Sequence, residues 1–100
     1  MRRGTTPTFT FTIPFNVSII SSFRLIFKQE KHNILVKNNS ECALSDNSIS
    51  VTLSQKETLS FDAEKPVMAQ LRVLTKSGEA LSSQIVVVDI KDTLDEEVLV

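Results

Sequence analysis

The chain has 100 residues, of which 41% are hydrophobic and 23% charged, and its formal net charge is −1. That length suits one domain around one core, and the charge balance excludes a partner selected by a broad basic face, which sets nucleic acid aside. Two glycines, one cysteine and one histidine exclude a glycine-rich phosphate loop, an internal disulfide and a multi-histidine metal centre.

No stretch approaches the ~20 apolar residues of a membrane span. Met1-Arg2-Arg3 is basic, but the polar run Gly4 to Thr12 follows where a signal peptide would carry its apolar core. The expected product is cytoplasmic at synthesis, without a membrane partner. Six phenylalanines occur without tryptophan or tyrosine. Contact surfaces built on aromatics favour the two absent residues, so the phenylalanines are expected to fill a core.

The dominant period along the chain is two. In Thr8 to Ile13 the threonines take one face and Phe9, Phe11 and Ile13 the other, a half-buried strand. Pro14 ends it, having no N–H for a ladder. Asn16 to Ser22 reads as a connection with room for one helical turn. Phe23, Leu25 and Phe27 alternate with Arg24, Ile26 and Lys28 in a second strand. Gln29 to Asn33 reads as a polar turn, Ile34-Leu35-Val36 as a third strand, and Glu41 to Leu44 as a short edge strand.

Ser45-Asp46-Asn47 is a turn triplet whose side chains bond their own backbone. Ile49, Val51 and Leu53 then alternate with Ser48, Ser50, Thr52 and Ser54, so every outward residue is a hydroxyl. Ser54 followed by Glu57 is a capping box. It predicts one short helical turn, with Leu59 and Phe61 packed beneath the sheet. Val67, Ala69, Leu71 and Val73 form the inward face of the next strand, and Gly78 supplies the positive φ of a hairpin turn. The return strand is expected over about Ala80 to Ile90, its apolar run Ile85 to Val88 covered on both faces.

The predicted fold is therefore all-β, an immunoglobulin-like antiparallel sandwich of about seven strands with a short helical turn before the penultimate strand. The expected organisation is an extended arm over residues 1–7, one sandwich domain over 8–91 and an acidic tail over 92–100.

Candidate chemistry is sparse. His32 lacks co-ligands at metal-site spacing and falls in the expected turn Lys31-His32-Asn33. Cys42, between Glu41 and Ala43, has neither a base nor an electropositive setting. The group Asp92, Asp95, Glu96 and Glu97 lacks the glycine and the alternating oxygen donors of a calcium loop. No Gly-x-Ser-x-Gly elbow occurs. The reading is no catalytic, cofactor-binding or metal site, no small-molecule substrate and no enzyme. The hydroxyl rows Thr8, Thr10, Thr12 and Ser48, Ser50, Thr52 are the most distinctive surface, a flat uncharged face suited to solvent or to a partner.

Three blocks carry a resemblance: the opening Met1-Arg2-Arg3-Gly4-Thr5-Thr6-Pro7-Thr8, then Leu53 to Phe61, then Gln70 to Leu81. Together they resemble short proteins of unknown function encoded in prophage-like clusters. The order of turn, cap, Arg-Val strand and glycine hairpin is similar to the N-terminal β-sandwich of phage baseplate upper proteins. The resemblance implies a virion or assembly component of the tail or baseplate region, working by contacts with other virion proteins or with its own copies. It carries over no catalytic residue. Two other readings are an adhesion-type or carbohydrate-binding sandwich, which would want exposed Trp or Tyr, and a monomeric regulatory binding protein.

Overall fold

The computed structural model describes residues 1–30 and 32–100; at His32, Asn33 and Ile34 the description is of the backbone alone. The strands in chain order are β1 (Thr8–Thr12), β2 (Ile20–Gln29), β3 (His32–Asn38), β4 (Ala43–Ser45), β5 (Ser48–Thr52), β6 (Val67–Thr75), β7 (Ala80–Ser82) and β8 (Val86–Val88). A short helix, α1 (Gln55–Leu59), joins β5 to β6. One sheet has the order β1-β5-β4 and the other β3-β2-β6-β7, with β8 also on β6; all these pairings are antiparallel. The all-β sandwich expected from the alternation is the fold observed.

The core lies between the sheets and comes from the alternation. β2 and β6 align Phe23 with Val73, Leu25 with Leu71 and Phe27 with Ala69, and all six side chains are buried. The other sheet sends down Ile49, Val51 and Leu53. Phe9 of β1 meets Phe27 of β2 across the layers, ring centroids 5.6 Å apart and tilted by 54°. Burying each large aliphatic or aromatic side chain here contributes about 1.5–3 kcal/mol.

At five residues, α1 is too short to stand alone, so its ends are tied. Ser54 Oγ accepts from Glu57 N at 3.1 Å, and Glu57 Oε1 accepts from Ser54 N at 2.9 Å, the expected capping box. Thr58, fully buried, accepts from Gly4 N and donates to Thr5 O. Gly4 has φ +78, and a Cβ there would face Leu59. Phe61 packs below, as its position in the pattern implied.

Three sequence expectations are corrected. The connection expected over Asn16 to Ser22 ends at Ile19, because Ile20 and Ser22 already pair with Thr75 and Leu74 in β2. The segment Gln29 to Asn33 is not a polar turn throughout. Gln29 ends β2 and is buried, and the backbone of His32 and Asn33 begins β3; Lys31 lies outside the described residues. Gln29 goes inside because the Asp62–Pro66 loop needs hydrogen-bond partners. Its Nε2 donates to Asp62 O and Lys65 O, and its Oε1 accepts from Asp62 N.

The return strand is also not continuous, nor is its apolar run covered. It breaks into β7 and β8 because Ser83, Gln84 and Ile85 lie opposite only Gln70 and Leu71, a one-residue bulge. Ser83 fills the gap: its N–H donates to Leu71 O, and its hydroxyl accepts from Leu71 N. β8 lies at the sheet edge, so Ile85, Val86 and Val87 are 57%, 47% and 62% exposed.

Candidate interaction surface

The residues singled out for chemistry do not assemble. The backbone of His32 pairs with Gln29 at the start of β3, and its side chain lies outside the described residues. Cys42 is half-buried, and burial, with Glu41 adding, pushes its thiol up against the pull of Lys37. Among the described residues, no three His, Cys, Asp or Glu side chains lie together in a way that could hold a metal ion.

The hydroxyl face forms across β1 and β5, where Thr8 meets Thr52, Thr10 meets Ser50 and Thr12 meets Ser48. The hydroxyls bond one another, Thr8 to Thr52 at 2.7 Å and Thr10 to Ser50 at 3.0 Å. Their capacity is thus partly used within the sheet, which favours a solvated face over a polar docking site.

The acidic segment and the basic opening meet. Arg3 donates to Asp92 Oδ1 at 2.8 Å, to Glu96 Oε1 at 3.0 Å and to Leu59 O at 3.0 Å. Arg3 N donates to Lys91 O, and Lys91 N to Met1 O, so the arm runs parallel to the strand exit. The bonds to Glu96 and then Asp92 outweigh burial and hold the Arg3 guanidinium more strongly charged. The Thr93 N–H and Arg3 hold the Asp92 carboxyl below its ordinary value. Further along, Gln55 grips the tail backbone, accepting from Leu99 N and donating to Leu99 O.

Strand edges are where a sandwich is open to partners, and three of the four are blunted. β1 is flanked by Pro7 and Pro14, and β4 has three residues. β3 turns Lys37 inward, opposite Leu25, where it pairs with Glu57 and, at 3.4 Å, with Glu41. The β7–β8 edge differs. Its bulge and short strands limit it, but Leu81, Ile85, Val86 and Val87 stand exposed with no charge among them, beside exposed Met68 and Leu74 of β6. The sequence signal for this edge was the run Ile85 to Val88; assigning it to a rim required the strand order.

A second feature is legible only once β2 and β6 are paired. Arg24 and Arg72 lie directly opposite on the outer face. Neither guanidinium makes a hydrogen bond or ion pair among the described residues.

No family model matches the chain, and comparison with curated proteins and with solved structures likewise gives no match.

Proposed function

We propose that the protein is a phage-derived structural or assembly component of the tail or baseplate kind, acting through protein–protein contacts and performing no chemistry. The observation that carries this reading is the apolar, uncharged β7–β8 edge on a sandwich whose other edges are guarded. Unpaired backbone groups there accept a strand from a neighbouring subunit, and the alternation of Val86, Val87 and Val88 sets its register. The resemblance of the three blocks Met1–Thr8, Leu53–Phe61 and Gln70–Leu81 to prophage-encoded proteins supports the virion setting.

The test is absolute mass by light scattering on a sizing column, over a concentration series, for the wild type and Val87→Lys. Val87 is mostly exposed, so the lysine changes folding stability by no more than about 0.5 kcal/mol while placing a charge on the edge. The expected result is an associating wild type and a variant whose association is at least tenfold weaker. A wild type that stays monomeric at every concentration counts against self-assembly. Association unaltered by the lysine counts against the edge.

A further inference from the structure

We propose that the groove over Arg24 and Arg72 receives the acidic tail of a second copy of this chain, giving a head-to-tail contact between subunits. The inference rests on the assembly reading above and names a different surface for it.

The groove comes first. Directly opposed like charges destabilise a strand pair, yet β2 and β6 place two arginines opposite each other with Asn38 and Ser82 as their outer cross-strand neighbours. No carboxylate among the described residues neutralises them. A groove of about 250 Å³ lies over the pair, with Leu74, Ala80 and Leu81 among its walls. Such a site suits an extended anionic segment that ends in apolar residues.

The chain carries one. Asp92 and Glu96 are engaged by Arg3, but Asp95 and Glu97 have no cation partner among the described residues. Beyond them Leu99 is 71% and Val100 121% exposed, and Leu94 is 108% exposed. In an extended segment, side chains two apart lie on one face at ~6.6 Å, and adjacent strands are ~4.8 Å apart. A tail laid across β2 and β6 therefore sets Asp95 over one arginine and Glu97 over the other. The next same-face residue, Leu99, then reaches the Leu74–Leu81 wall.

Position makes the contact head-to-tail. The tail leaves beside the Asp62–Pro66 loop, where Glu64 N donates to Ile90 O, at the end where β2 finishes and β6 begins. The groove faces the other end, near Ser22, Leu74 and Ala80. Two different patches in contact make a heterologous interface, which propagates as a ring or an open stack.

The test is light scattering of the full chain at low and high salt, for the wild type, R24E/R72E, R24E/R72E/D95K/E97K and V87K. Both arginines are exposed, and a circular dichroism melt checks that each variant folds. The expected wild-type mass rises with concentration at low salt and falls at high salt, since exposed charge pairs are screened. R24E/R72E weakens association at least tenfold, and the four-residue charge swap restores it. Association that survives R24E/R72E but not V87K overturns the tail–groove contact and leaves the edge reading standing. A wild type monomeric throughout overturns both. Failure of the charge swap to restore association overturns the tail as the occupant.

Discussion

Lys37 is a charged residue placed where the alternation of β3 calls for an apolar one, and its partner is Glu57 of α1. Lys37 lies on the inward face of β3, and its side chain is 10% exposed against 22% for Glu57. Burial works against the lysine charge, but Glu57 and then Glu41 outweigh it, so Lys37 titrates above its usual range. Burial likewise pushes Glu57 up, while Lys37 and the Ser54 N–H bring it below its usual range. A carboxyl depressed in the folded state contributes stability above its unfolded pKa of about 4.3, and loses it as pH falls through the lower folded value. A lysine raised in the folded state contributes fully below about 10.4 and loses that contribution as pH climbs through the raised value. The pair therefore stabilises the fold on a plateau between those limits. In urea titrations, Glu57→Gln should lose less stability on acidification below about pH 4.3 than the wild type does. Lys37→Met should cost about 1–3 kcal/mol at neutral pH, the partial exposure of Glu57 lowering the full buried-pair penalty. K37M/E57Q should recover most of that loss, since glutamine keeps the capping box. A double variant as weak as the two single losses added together would show that the residues do not act as a unit.

At the scale of elements, β1, β2, β5 and β6 were legible because each has one wet face and one dry face, which leaves a period of two in the sequence. The capping box at Ser54 was legible because it is local. What depended on distant partners was not. Gln29 looks like a turn residue until the Asp62–Pro66 loop arrives beside it. The Arg24–Arg72 pair exists only in the register of β2 on β6. Ile85 to Val88 looks like an interior strand, because a continuous apolar run does not distinguish a covered strand from an exposed rim. The bulge that splits β7 from β8 is equally silent, as its cause is the Ser83 hydroxyl standing in for a backbone carbonyl. It carries a prediction of its own. Deleting Gln84 removes the extra residue and keeps Val86 and Val88 on their present faces, so one continuous strand can pair along β6. The expected change in stability is within about 1 kcal/mol, whereas a deletion inside β6 reverses every later side chain. Because a bulge also blunts an edge, the Gln84 deletion should aggregate at lower concentration than the wild type. Loss of the folded state on deletion would mean that the bulge is needed for pairing.

For the whole molecule, both ends of the chain converge on α1, but they hold it differently. The opening reaches buried ground: Gly4 and Thr5 bond the hydroxyl of fully buried Thr58, which also donates to Gln55 O, Arg3 donates to Leu59 O, and Met1 and Arg3 bond the backbone at Lys91. The tail reaches only exposed ground, through Asp92 and Glu96 on Arg3 and the Leu99 backbone on Gln55. Surface ion pairs contribute about 0–1 kcal/mol and are screened by salt, whereas a buried hydroxyl or carbonyl stripped of its partner costs about 1–3 kcal/mol. Removing residues 92–100 should therefore lower stability by less than about 1 kcal/mol, and by less still at high salt. Removing residues 1–5 should cost about 2–4 kcal/mol, because Gly4 N, Thr58 and Leu59 O lose their mutual or Arg3 bonds, and only the ion-pair share common to both truncations depends on salt. Urea denaturation of the two truncated chains at two salt concentrations reads both quantities. Equal losses for the two truncations would mean that the arm is held by Arg3 and its carboxylates alone. The predicted asymmetry instead makes the arm a structural part of the sandwich, bridged in parallel to the chain at Lys91, and leaves Asp95 and Glu97 on a loosely held tail, open to cations on a neighbour.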